Sequence, residues 1–422
     1  MMEAAKARKV WYKYVGRETS CHACSEGGEE LPRTNLSKNW HMGLLIGFFG
    51  VLFLGTPYVS KYYLDHGLTV TQVLLLQTIW TSIVVVGTVP SGWLADRWGR
   101  RRVLIAGCIV QFVSSLYFPL CRGFGDFAIS LVGTGVAASL LGGTSAALLM
   151  SSLREAVDER RQKSLFKSWR SKLSRRNAIG SFTACVVSGP LVKYFGPSSP
   201  FLLQPIIYLC VAICAFKMVE PCATGRRPVA MWETAWRMLV KHPQVRWAIA
   251  VDAVLITVLF VDFWLLQPAM IQINLAAAWF GTVYALRAVL MYISAYASVI
   301  FAKMRFETVW ASLLGVACVG SFVAGLAPGL TGIASQVIVV SVMSTTGITM
   351  DSYLHKALHD DENRTTELSI VHAAEVVLFA AASPCLGYLA AERSPHAALT
   401  IMGAGSLVLG VFTLYMFRRT AP

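Results

Sequence analysis

In the second half of the chain, ionisable side chains interrupt long apolar runs, where a charge is costly unless it is paired or wetted. Asp252 and Asp262 stand ten residues apart in AVDAVLITVLFVDFW, roughly 15 Å of helix. Arg287 lies mid-way along the next apolar run, which returns across the membrane, so it reaches about the depth of Asp262 on a neighbouring helix. Two readings follow: an ion pair that a substrate charge or a proton breaks during a working cycle, or a permanent structural pair. His372 and Glu375 share one helix face at i, i+3 in ELSIVHAAEVVLFAAASP. A carboxylate beside an imidazole can relay protons, although polar residues this near a helix end are also commonly just wetted. Gln77, Gln111, Trp264 and Gln267, together with Trp80 and Gln204, offer amide and aromatic groups to line a cavity, while aromatics near span ends also serve as interface anchors.

Positioning such groups requires membrane helices. With 55% hydrophobic and only 14% charged residues in 422, the chain lacks the polar surface of a soluble protein. Apolar segments long enough to span a bilayer lie near 41–60, 72–94, 103–121, 127–150, 177–195, 199–218, 246–269, 275–300, 307–327, 329–352, 367–390 and 396–417. Charged insertions follow the fourth (Arg154 to Arg176) and the sixth (Glu220 to Arg246), and the latter divides the spans six and six. The expected organisation is a tail (1–40), a six-helix bundle (41–218), a central loop (219–245), a second six-helix bundle (246–417) and a short tail (418–422). In the central loop, MWETAWRMLVKHPQVRW has apolar residues at helical spacing among cations, as in a helix on the membrane surface or a plain linker helix. SGPLVKYFGPSSPFLL (188–203) and ASPCLGYLAAERSPHAAL (382–399) place Pro, Leu and Tyr at matching offsets, a weak internal repeat between the halves.

With both termini in the cytoplasm, most of the 37 Lys and Arg residues fall on that side, leaving Lys61, Arg122, Lys193 and Arg393 outside and Arg287 within the bilayer. The net charge of +14 is therefore topological and does not call for a nucleic-acid partner. Residues 1–39 mix both charge signs without an apolar core, so no cleavable signal peptide is expected. Most of the ten cysteines sit in apolar segments as packing residues. Cys21 and Cys24 form a lone CxxC that falls short of the four ligands of a structural zinc site. Without a phosphate-binding glycine loop, a metal cluster or a nucleophile arrangement, no cofactor and no enzymatic activity are expected.

Between the second and third spans stands SGWLADRWGRRRVLIAG (91–107), where Gly92, Leu94, Ala95, Asp96, Arg97, Gly99, Arg100 and Arg101 follow the pattern G-x-L-A-D-R-x-G-R-R. With twelve spans arranged six plus six, this resembles the major facilitator superfamily of secondary transporters, in its broad bacterial-type branch. The likeness covers about residues 41–417 and is strongest in the first hundred of them. It implies an all-α integral membrane protein of 12 transmembrane helices in two pseudo-symmetric six-helix bundles. The solute would bind near the midplane, with access alternating as the bundles rock. It also implies a conformational latch of Gly92, Asp96, Arg97, Gly99 and Arg100 on the cytoplasmic side. The glycines allow close approach and a tight turn, and Asp96 faces a helix N-terminus of the other half, a contact of about 0.3–2 kcal/mol. The bland alternative for the arginines is a topology signal. The matching loop of the second half, FAKMRFETVW (301–310), lacks the glycines and the aspartate.

The sequence departs from drug/proton antiporters of the superfamily at Leu131, where their fourth-span arginine would stand, and keeps only part of their fifth-span pattern at Gly180 and Gly189-Pro190. The expectation is a monomeric secondary transporter of a small solute in the cell (inner) membrane, uniporter, symporter or antiporter. Arg287 would suit an anionic solute unless Asp262 neutralises it, and protons are candidate coupling ions. A non-transporting sensor or assembly partner, and a proton-driven drug efflux antiporter, are the alternatives.

Overall fold

Apolar runs of about 20 residues fold as helices in a bilayer because a helix satisfies its own backbone N–H and C=O groups where no water can. The computed structural model describes residues 34–142, 144–157, 159–220, 237–301, 304–358 and 364–420. Cys21, Cys24 and the first part of the expected central-loop helix lie outside them. The N-terminal group of helices is α1 (Thr34–Gly50), α2 (Val59–Asp65), α3 (Val70–Trp98), α4 (Arg100–Tyr117), α5 (Phe124–Leu141), α6 (Thr144–Ala156), α7 (Glu159–Phe195) and α8 (Ser199–Lys217). The C-terminal group is α9 (Pro243–Gln272), α10 (Phe280–Phe301), α11 (Phe306–Leu326), α12 (Leu330–Ser341), α13 (Met343–Leu358), α14 (Arg364–Glu392) and α15 (Pro395–Arg419).

Eleven spans among the described residues are long and apolar enough to cross a membrane. The expected first span is divided instead: α1 stops at Gly50 and α2 begins at Val59, with Gly55 and Pro57 in the turns between. Proline lacks a donor and disfavours helix in the residue before it, which explains the break. The backbone freed there is met by Gln204 of α8, whose Oε1 accepts from Leu54 N at 3.0 Å and whose Nε2 donates to Leu52 O at 3.2 Å. A second departure is the charged stretch after the fourth span, which is largely helical. α6 runs to Ala156, and α7 continues for 37 residues from Glu159. Lys, Arg and Glu are good helix formers, and Trp169 pins this extension by donating to Trp40 O at 3.3 Å.

α9 is the most enclosed span, with 78% of its apolar window buried against 28–56% for the others. It therefore lies at the centre of the molecule. Large apolar side chains such as Val86, Leu120 and Val408 point outward, as a lipid-facing surface requires. The two groups meet where α3 packs along α14 and α7 along α10. The second contact depends on Gly281, since a Cβ there would come 2.7 Å from Cys185 O.

Candidate functional site

The junction of α3 and α4 is a single residue, Gly99, at φ +97°, in the left-handed region where a side chain is strained. This turn exposes the first backbone N–H groups of α4, and Glu220, just beyond α8, covers them. Its carboxylate accepts from Arg100 N at 2.8 Å and from Arg101 N at 2.7 Å. An acidic side chain thus sits on a positive helix end, within the N-terminal group itself. The Arg100 guanidinium reaches Ser151 Oγ and donates to Ala147 O at 2.9 Å, while Arg101 Nη2 donates to Phe216 O at 2.8 Å. Arg97 is exposed, its guanidinium 5.3 Å from the Trp93 ring centroid. A Cβ on Gly92 would meet open space. The Asp96 side chain lies outside the described ones. This end of the molecule is called the latch end below, and the opposite one the far end.

Among the described residues, the hydrogen bonds recorded between the two groups lie from mid-span to the far end. Tyr58 Oη donates to Ala277 O at 3.0 Å, and the Tyr58 ring stacks on Phe280 with centroids 5.9 Å apart. Gln267 of α9 accepts from Lys61 N at 3.0 Å and donates to Thr56 O at 3.0 Å and to Tyr284 Oη at 3.1 Å. Thr78 of α3 and Ser383 of α14 bring their hydroxyl oxygens within 2.7 Å. Gln267 is fully buried and bonds across the two groups, and it is not among the residues around the cavity.

That cavity, about 400 Å³, is enclosed largely by the N-terminal group and closed on one side by Phe263 and Trp264 of α9. Gln77, Gln111 and Trp80 line it, as do Gln204 and Tyr208, and its remaining wall is mostly apolar. Leu131 contributes to this wall in the place where antiporter relatives would carry an arginine. Of the amides, Gln77 is the one whose buried Nε2 makes no hydrogen bond.

The structure separates Asp262 from Arg287. Asp262 Oδ2 accepts from Ser321 Oγ of α11, while the Arg287 guanidinium lies over Phe263 at 5.1 Å and Tyr284 at 5.4 Å and donates to Met291 Sδ at 3.0 Å. The depth argument holds, but successive residues of a helix point about 100° apart. The face of α9 turned to Arg287 carries Phe263, and Asp262 faces α11. The expected ion pair is therefore not formed, and no described carboxylate lies within ion-pair distance of Arg287. Its Nε is buried without a partner. Of the other three candidates, His372 Nδ1 and Glu375 Oε2 are 2.9 Å apart on α14, and Asp252 is fully buried on α9, the helix along which α14 packs.

Glu220 escaped the sequence reading, although an acidic residue directly after an apolar span, at the basic end of the molecule, was the available signal. The crossing bonds of Gln267 had no local signal, because its partners lie some two hundred residues away in the broken first span.

These features define a multi-pass helical membrane protein with a cavity beside its central helix. The Major Facilitator Superfamily model matches residues 41–360, and the chain belongs to that superfamily. A curated relative, an "Uncharacterized transporter" of Buchnera aphidicola subsp. Schizaphis graminum (strain Sg), is 29% identical over 178 residues, 42% of this chain and 41% of that protein. Among solved structures, the nucleoside transporter NupG, as a point mutant, superposes with a TM-score of 0.71 at 11% identity over 90% of this chain and 99% of that one. A bacterial homologue of the human lysosomal transporter Spinster, inward-facing and unoccupied, gives 0.66 at 13% identity over 92% and 96%. At such identities the likeness is one of fold.

Proposed function

We propose that this protein is a secondary active transporter that carries a small solute by alternating access, held here with its far end shut. The carrying observation is the placement of the bonds between the two helix groups, from mid-span to the far end, with the latch knit into its own group by Glu220, Arg100 and Arg101. The excess of Lys and Arg at the latch end makes that end cytoplasmic and the conformation inward-facing. Rocking of the N-terminal against the C-terminal group would break the Gln267 clasp and bring the junction around Asp96 against the second group.

The solute is an anion with an apolar or aromatic body. Arg287, against the Phe263 ring and outside the residues around the cavity, carries a buried cation with no described carboxylate beside it, a costly arrangement that an anionic ligand at that wall would relieve. The aromatic wall of Trp80, Phe263 and Trp264 suits the rest of such a molecule. The protein acts as a monomer, since one chain supplies both helix groups and the path between them.

The test is counterflow in proteoliposomes with a panel of labelled monocarboxylates, dicarboxylates, nucleoside monophosphates and neutral nucleosides. Flux of an anion, lost in Arg287→Met while the melting temperature rises or holds, is the expected result, because methionine removes an unpaired buried charge. Flux confined to neutral solutes refutes the anion assignment. Stabilisation by a panel member without any flux supports a sensor instead.

A further inference from the structure

The cavity wall holds a donor that the protein leaves unused. Gln77 of α3 lines the cavity at 4% exposure, and its Nε2 finds no protein acceptor. An amide N–H kept dry without an acceptor is costly, and the cost is lifted when something in the cavity accepts from it. Other polar groups of the wall are already engaged. Gln204 spends its amide on Leu54 N and Leu52 O. The hydroxyls of Thr56, Ser115 and Thr134 donate to carbonyls of their own segments, Phe53 O (2.8 Å), Phe112 O (2.7 Å) and Leu131 O (3.1 Å). A hydroxyl has one proton, so these three have none left to give, whereas Gln77 does. None of the residues around the cavity is Asp, Glu, Lys, Arg or His, so recognition at this wall runs through neutral hydrogen bonds.

Trp80, which also lines the cavity, stands three residues beyond Gln77 on the same helix. The two side chains therefore share one helix face, about 4.5 Å apart along its axis. A flat ring stacked on the Trp80 indole can present its edge to the Gln77 amide. Across the cavity, Phe263 and Trp264 of α9 meet edge to face with centroids 5.2 Å apart. The wall thus combines aromatic faces with a single dry donor at a fixed place beside one of them.

We propose that Gln77 is the specificity-determining residue of this cavity, donating to a carbonyl oxygen or ring nitrogen on the edge of a flat ring that stacks on Trp80. The inference names the body of the solute and rests on the transport reading for that ligand's being carried; the binding itself does not require flux. Thr78, the next residue of α3, meets Ser383 of α14 at 2.7 Å. A ligand held at Gln77 therefore sits one residue from a bond between the two helix groups.

Isothermal titration calorimetry of the purified full chain in nanodiscs compares ligands of matched shape that differ in the acceptor alone: 4-acetylbenzoate with 4-isopropylbenzoate, and quinoline-6-carboxylate with 2-naphthoate. Each is also offered with a primary alcohol in place of the carboxylate. Wild type should bind the acceptor-bearing member of at least one pair about ten-fold more tightly. Gln77→Leu should abolish or reverse that preference without lowering the melting temperature, and Gln77→Met reads the same ratio if the leucine variant fails to fold. Trp80→Leu should weaken both members of the pair and leave their ratio in place. A preference seen among the alcohols but not the carboxylates keeps the Gln77 subsite and refutes the anion assignment; a Gln77-dependent preference in a protein without flux keeps the subsite and refutes transport. No preference in wild type, an unchanged preference in both Gln77 variants, or no binding of any member overturns the proposal.

Discussion

Replacing Gln267 by Leu should unlock the far end. The side chain makes three bonds, to Lys61 N (3.0 Å), Thr56 O (3.0 Å) and Tyr284 Oη (3.1 Å), of which the first two cross between the helix groups. At a net value of about 1 kcal/mol each, the crossing bonds stabilise closure by about 2 kcal/mol. Leucine also leaves the Lys61 N–H and Thr56 C=O unsatisfied while the end stays shut, at about 1–3 kcal/mol apiece, whereas opening lets water satisfy both. The equilibrium should therefore move toward the open far end by at least about 30-fold, since about 1.4 kcal/mol is a factor of ten. Spin labels at the exposed positions Asp65 and Trp279 report this opening as a distance. Attaching them through noncanonical amino acids leaves the ten native cysteines untouched. Wild type should give mainly the short distance, and Gln267→Leu a dominant longer one. Ser321→Ala, which removes a bond within the C-terminal group, should leave the distribution unchanged. An unaltered distribution in a folded Gln267→Leu protein would refute the clasp.

Further outcomes follow from the same geometry. Glu220→Ala removes the acceptor of two backbone N–H groups at the start of α4 and should cost about 2 kcal/mol, seen as a lowered melting temperature, with Glu220→Gln costing less. Gly99→Ala forces a side chain into a positive-φ turn and against the Glu220 carboxylate, 3.1 Å from the new Cβ, and should destabilise by about 1–2 kcal/mol in the same assay. Gln204→Leu strips both partners from the break between α1 and α2 and should cost about 2–4 kcal/mol, with faster amide exchange at Leu54 by mass spectrometry.

The spans were legible because apolar length alone identifies a membrane helix, and the α3–α4 junction because its glycines and charges are contiguous. The break in the first span was written in Gly55-Thr56-Pro57 but was outweighed by the hydropathy around it. For Asp262 and Arg287, depth could be counted along each helix, but which way each side chain points depends on how the helices are turned, and one residue of rotation exchanged Asp262 for Phe263. Gln204 and Gln267 were read as cavity amides. An amide that donates and accepts at once also suits the repair of broken backbone, and that use shows only when the broken segment is placed beside it.

The central claim is that one cavity opens to one side of the membrane at a time. Cysteines at Thr78 and Ser383, whose oxygens are 2.7 Å apart, would lock the middle of the α3–α14 contact as a disulfide in a background lacking native cysteines. A third cysteine in place of the cavity residue Gln111, protected while the disulfide forms, is then offered an impermeant thiol reagent from either face of sealed vesicles. Labelling only from the latch side while locked, and from both sides after selective reduction of the lock, is the predicted result. Labelling from the far side with the lock intact, or none from that side once it is released, would contradict alternating access in this protein.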